Sequence, residues 1–358
     1  MTRVTVLNTA QEMRDIAVEW DDALSALDVS ECSLTSHWIT CWLTAFDPDG
    51  QAMVLCVRDA AGAIVGQAAF AVHRARGFSV LRSLSNTYAT RTTVAGTPAG
   101  RAAIAQWIAR RPEPVIRLER CPADAGCATL LPHAVTAQRF ELPVIDTDLS
   151  YDAYLSARSA NFRKSLKRAR KSHAGLDITC VPARPEHAAD ILAVSRKTWK
   201  FEEGTAIASD PGVSAFYTGL LTVDAASHAA QPFVTLVRDT HSGDPVAFLI
   251  GLIHRGTMFA LKMGYDPRIQ ERHPGFALLQ KCVETACAAP DINALDLDAL
   301  GPHGDYKRRW ATRIETLESI VAFQKTPLGW LARHAYDLKG VLRFSKDGLS
   351  KRFGRKVS

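Results

Sequence analysis

Arg272-His273-Pro274-Gly275-Phe276-Ala277 joins a strand-like run, Thr257 to Tyr265, to a helix-like run that opens at Phe276. No other stretch limits the fold so sharply. Proline at a helix start has no N–H to satisfy, and the glycine after it has no side chain to cover neighbouring amides. Such a start presents donors at the positive end of the helix dipole, an arrangement suited to an anion. The spacing Arg-x-x-Gly-x-Ala reads as a pyrophosphate cradle, with Gly275 and Ala277 small enough for close approach. A Pro-Gly start with no ligand is the plainer reading, so the rest of the chain has to decide.

A chain of 358 residues exceeds one usual core, and two domains are expected. Hydrophobic content of 47% beside 22% charged residues describes a folded globular protein rather than a disordered one. The apolar run Val246–Ile253 is too short to span a bilayer and is stopped by His254-Arg255. The start of the chain lacks the apolar stretch of a signal peptide, and none of the eight cysteines has CxxC or zinc spacing. These features predict a cytoplasmic protein with reduced thiols. With no HExxH and no Walker loop, neither a metal nor a nucleotide triphosphate site is expected.

Charge is unevenly placed. Residues 339–358 hold seven Lys/Arg against Asp347, and that segment accounts for the whole net charge of +6. Leu338, Leu342, Leu349 and Phe353 share one helical face there, the pattern of a helix lying on anionic lipid; a disordered basic tail is the alternative. A second basic run, Arg158 to Lys171, contains no acid. Two local patches indicate local anionic contacts rather than a uniform nucleic-acid surface.

In the second half the periodicities predict a helix over 151–173, a strand over 176–181, helices over 186–199 and 213–226, and strands over 233–239, 246–254 and 257–265. The cradle helix 276–288, a strand 294–300, a short helix 305–311 and a strand 317–324 follow. The first half shows a looser version with no second cradle.

That order resembles the GNAT superfamily of N-acetyltransferases, with Arg272-x-x-Gly275-x-Ala277 where the superfamily keeps its acyl-CoA pyrophosphate loop. Further segments resemble one branch, the cellulose-biosynthesis acetyltransferases (CelD/BcsL-like) related to Fem transferases. They are Ser36-His37-Trp38 with Trp42 and Phe46, Leu84-Ser85-Asn86, Asn161-Phe162-Arg163 through Lys171, and Trp199-Lys200 with Gly204–Ile207. Tyr265-Asp266, His273–Gly275, and Tyr306-Lys307 with Trp310 complete the set, so the resemblance spans residues 30–325. It implies an α+β fold of two tandem GNAT-like domains with mixed central sheets flanked by helices, the N-terminal copy degenerate. The expected division is 1–146, a catalytic 147–338 and the basic tail 339–358.

The implied reaction is N-acylation. An acyl-CoA, or acyl carrier protein, donates to an amine of an envelope lipid or polysaccharide precursor, with a sphingoid long-chain base as one candidate acceptor. Arg272, His273, Pro274, Gly275, Phe276, Ala277 and Tyr265 are the candidate cofactor-binding residues. A backbone N–H near Met263–Tyr265 is the implied oxyanion donor, although Met263 itself reads as core. Asp296 and Asp298 alternate on a strand, so both face one side. Asp298 is the stronger candidate base, and a solvated face the plainer alternative. His303 is a second base or a surface residue; Tyr306 an acid for the leaving thiolate or a packed aromatic; Lys307 a phosphate or carbonyl contact or a solvated charge. Trp199 and Lys200 are placed at the rim of the acceptor pocket, with Asn161 and Arg163 as further substrate contacts. Two other functions remain in competition: an aminoacyl-tRNA-dependent Fem-like transferase, with 158–171 gripping RNA, and a non-catalytic envelope-synthesis partner. The intact cradle and the absence of a coiled-coil insertion argue against the RNA reading.

Overall fold

A computed structural model describes residues 2–47, 50–75, 77–84, 89–222, 229–301 and 304–338. His303, Ser85-Asn86 and the tail 339–358 therefore lie outside the described residues. The chain runs β1 (Arg3–Leu7), α1 (Ala10–Asp15), α2 (Ala17–Ala26), α3 (Ser36–Phe46), β2 (Ala52–Arg58), β3 (Ile64–Ala75), β4 (Phe78–Ser83), β5 (Ala95–Gly96), α4 (Pro98–Ala109) and β6 (Val115–Pro122). It continues through β7 (Val135–Asp146), α5 (Tyr151–Ser156), α6 (Ala160–Ser172), β8 (Leu176–Pro182), α7 (His187–Lys197), α8 (Trp199–Glu202) and α9 (Pro211–Leu220). The remainder is β9 (Gln231–Asp239), β10 (Pro245–His254), β11 (Thr257–Tyr265), α10 (Pro274–Ala288), β12 (Ala294–Asp296), β13 (Arg313–Phe323) and α11 (Pro327–Leu338).

These elements form two compact units: Met1–Leu34, Asp47–Phe140 and Thr316–Ser358 in the first, Thr35–Phe46 and Glu141–Glu315 in the second. Both follow one strand plan. In the first, β1, β2, β3 and β4 pair antiparallel in turn, β4 pairs parallel with β6, and β6 pairs antiparallel with β13. In the second, β8, β9, β10 and β11 pair antiparallel, β11 pairs parallel with β12, and β12 pairs antiparallel with the end of β7. The closing strand of each sheet comes from the other half of the chain. Helix α3, early in sequence, packs in the second unit, where Trp38 meets Phe216 edge-on at 5.0 Å.

Local chemistry sets the boundaries. The single helix expected over 151–173 is two, α5 and α6. Ser159 caps α6 by accepting from Phe162 N–H (3.2 Å), and Arg163 donates to the carbonyls of Ser156 (2.8 Å) and Arg158 (2.6 Å), closing the turn. The strand expected over 294–300 ends at Asp296, because Asp298 adopts φ 65°, which no strand accommodates. Three strands, β1, β4 and the two-residue β5, are not apparent from the sequence pattern. Phe162, Trp310, Leu278 and Leu295 lie in the core of the second unit, and Phe70, Leu81, Ile104 and Leu118 in that of the first.

Candidate active site

In the second unit β11 and β12 share three registered pairs, Thr257 with Ala294, Met258 with Leu295 and Phe259 with Asp296. Beyond them β12 ends and its continuation follows β7, with Leu297 N–H donating to Pro143 O (3.1 Å) and Leu300 N–H to Glu141 O (2.8 Å). β11 runs on through Lys262 and Met263 to Tyr265. A wedge opens between the two strands, and the start of α10 lies beside it.

The cradle is narrower than its spacing suggests. Pro274 has no N–H, and the amides of Phe276 and Ala277 donate to His273 O (3.0 and 3.3 Å). Gly275 N–H and the helix dipole are what remain for an anion. His273 adopts a left-handed conformation (φ 49°) and supplies no side-chain cap. A Cβ added at Gly275 would meet nothing closer than Met263 Cε at 3.9 Å, so this glycine leaves space open that the protein itself does not fill. The other motif residues serve the scaffold. Pro274 and Ala277 are buried, and Phe276 packs against Trp310 (5.6 Å between rings). Arg272 pairs with Asp239 (3.1 Å) and donates to the carbonyls of Ser172 (3.4 Å) and Ala174, clamping the loop after α6.

Met263 packs against the core of the second unit, as its sequence context suggests, and is also the hub of the wedge. Its Cε is the atom nearest the open side of Gly275. Its sulfur accepts the Tyr306 hydroxyl at 3.4 Å, and its carbonyl accepts Lys200 Nζ at 3.2 Å. Lys262, which the sequence reading passed over, donates to Thr205 O at 3.2 Å. Burial, and then the charge of Lys200, push the Lys262 ammonium down to about 8, against a smaller opposing pull from Asp298. Burial, and then Lys307, likewise lower Lys200. Burial raises the Tyr306 phenol, and Tyr265 and Asp298 raise it further, so it stays protonated across neutral pH. One region thus collects an amine able to hold or release a proton near pH 8, a carboxylate and a phenol that keeps its proton. The lone lysine in the apolar run 257–265 was the signal for Lys262. A register slip opposite Ile250 and Gly251, which leaves Leu261 without a partner, obscured which face it takes.

The structure brings together Asp298, Tyr306, Lys307, Lys200 and Tyr265 from the sequence reading, through the contacts and charge interactions above. Asp298 N–H donates to the Asp296 carboxylate (2.7 Å), and Asp296 is fully buried, so the two do not form the shared open face expected. Trp199 and Phe201 are exposed at the edge of α8, with Lys200 Nζ 5.8 Å from the centre of the Trp199 ring. Arg163 is occupied at the α5–α6 turn; with Leu155, Leu166, Lys167 and Arg170 it lines a shallow cavity of about 280 Å³. Asn161 is exposed on α6.

Residues 156–308 match the model of the GNAT acetyltransferase domain. FemX is similar in structure, with a TM-score of 0.59 at 11% identity over 92% of this chain and 99% of that one. So is a conserved protein of unknown function from Bacteroides thetaiotaomicron, with a TM-score of 0.61 at 13% identity over 90% and 100%. A third is the C-terminal domain of a chain described as a lysylphosphatidylglycerol synthetase, from Agrobacterium fabrum, with a TM-score of 0.56 at 13% identity over 94% and 99%. At such identities the likeness establishes the fold. The search of curated proteins returns no match. The fold is that of the GNAT acetyltransferases, a mixed sheet flanked by helices, and the chain is an acyltransferase carrying its GNAT domain at 156–308.

Proposed function

We propose that this protein is an N-acyltransferase of the cellulose-biosynthesis-like branch. It would transfer an acyl group from acyl-CoA, or acyl carrier protein, to the amine of a cell-envelope lipid or polysaccharide precursor. The observation that carries the reading is the convergence, at Met263, of an open helix start and a proton-transfer cluster in one wedge. The name of the lysylphosphatidylglycerol synthetase neighbour, which mentions a phospholipid, supports a lipid acceptor.

A donor diphosphate would rest on Gly275 N–H, directing its thioester into the wedge. The β11 edge beyond Phe259 supplies backbone N–H groups for the developing oxyanion. Lys262, neutral in half its molecules at about pH 8, takes the proton that the acceptor ammonium must lose. The neutral amine nitrogen then attacks the thioester carbon, the C–S bond breaks, Tyr306 protonates the leaving sulfur, and the second proton that the nitrogen sheds as the amide forms returns to the Tyr306 oxygen. Exposed Trp199 and Phe201 offer apolar contact to the acceptor, and Lys200 and Lys307 offer cations to an acidic group on it. The apolar contacts suit an amphiphilic amine such as a long-chain base, and the two cations suit an acceptor that also carries an acidic group.

Titration calorimetry with acyl-CoA tests the reading. The wild-type chain should bind and turn over with an amine, and Gly275→Asp should abolish both without lowering the melting temperature. No heat from CoA thioesters of any length would end it. For the base, kcat/KM should rise with pH through about 8, and Lys262→Met should remove that limb. The exposed lysines and arginines of α6 favour a second donor, aminoacyl-tRNA. Salt-sensitive binding of charged tRNA in place of CoA would select it.

A further inference from the structure

Helix α11 buries one side and keeps the other apolar. Its inner side is set by Gly329, where a Cβ would lie 2.0 Å from Gln324 O, and by Ala332, which packs with Val80, Val115 and Val321. Tyr336 completes that side against Phe323 at 5.6 Å, and the Arg333 guanidinium lies over the same ring at 5.5 Å. At 100° per residue the opposite side carries Leu328, Trp330, Leu331 and His334. Leu328 is 58% exposed, Leu331 50% and Trp330 66%, with the Trp330 ring 4.0 Å from that of His334.

A helix resting on a sheet ordinarily turns charged residues outward. Here the one fixed charge between Pro327 and Tyr336, Arg333, sits at the inner side, and large apolar groups face out. A contiguous outward apolar face marks a contact surface. The chain leaves α11 directly into 339–358, with seven Lys/Arg against Asp347. A second copy of the chain carries the same positive segment and offers it no complementary charge. A negatively charged lipid surface satisfies both features. Leucines and an indole enter the boundary between headgroups and acyl chains, and the basic residues neutralise headgroups.

We propose that the outer face of α11 docks on an anionic membrane surface, with residues 339–358 supplying the charge. This does not depend on the transferase reading. Among the described residues no helix is long and apolar enough to cross a membrane.

Co-sedimentation of the full chain with vesicles tests it. Binding to vesicles containing phosphatidylglycerol should exceed binding to pure phosphatidylcholine vesicles by about tenfold or more and weaken with salt. Leu328→Glu with Leu331→Glu should reduce it by about tenfold or more at an unchanged melting temperature. Trp330 emission, taken as the wild-type minus Trp330→Phe difference, should shift to the blue on binding. Unchanged binding by the double variant would overturn the proposal, since the tail alone would then suffice. Absence of vesicle binding would also overturn it, whether or not light scattering shows a dimer that the double variant dissociates.

Discussion

In the first unit the parallel strands β4 and β6 part after Arg82 and Arg117, and in the second β11 and β12 part after Phe259 and Asp296. The first wedge is closed from within. Arg82 (3.0 Å) and Arg117 (2.5 Å) converge on the buried Glu119 carboxylate, and Ser319 donates to it at 2.6 Å. Burial works to raise Glu119, yet the two guanidiniums and the hydroxyl hold it below the usual carboxylate range. The segment after β4 adds its own backbone, with Thr92 N–H donating to Arg120 O (3.2 Å) and Arg120 to Ala89 O (3.0 Å). The helix starts differ in the same sense. In α4 the Thr97 hydroxyl accepts from Gly100 N–H (3.2 Å), and a Cβ at Gly100 would lie 1.9 Å from Val65 O. In α10 no side chain caps the start and the space beside Gly275 is open. One strand plan has thus been completed with the chain's own groups in one place and left open in the other.

Substitutions can break this contrast. Glu119→Ala would strand two buried guanidiniums and should cost about 3–5 kcal/mol of stability in chemical denaturation. Lys262→Met in the other wedge should fold normally, since methionine keeps the length of the buried stem, while losing about 100-fold or more in turnover. Equal loss of stability in both would mean that the second wedge is also scaffold. Next comes the glycine pair. Gly100→Ala forces a methyl onto a carbonyl and should destabilise by about 1–3 kcal/mol. Gly275→Ala should be neutral or stabilising by about 0.5–1 kcal/mol, the helix preference of alanine, while weakening CoA binding. Matched melting shifts would erase the distinction. The smallest effect is at the cap: Thr97→Ala should cost about 1 kcal/mol with kcat/KM unchanged.

Much of the second unit was legible because each signal is local. The cradle helix and β9, β10 and β11 follow from periodicity within a dozen residues. Lys200, Lys307 and Tyr306 were legible through resemblance, which carries position but not environment. What the sequence hid was long-range. Lys262 becomes unusual only when β12 turns away and leaves its strand beside a second ammonium. Met263 becomes a junction only through atoms contributed by residues some sixty positions earlier and forty later. Arg272 looked like a ligand to the anion, but its partners, Ser172, Ala174 and Asp239, lie far upstream. The closed character of the first wedge rests on Glu119 and Ser319, 200 residues apart.

The exchange of closing strands bears on any attempt to divide the protein. A gene cut after residue 146 would give an N-terminal fragment carrying β7 without its partner β12, and a C-terminal fragment carrying β13 without β6. Each piece would show a raw sheet border of the kind that recruits foreign strands. Soluble material is expected only when both pieces are made in the same cell.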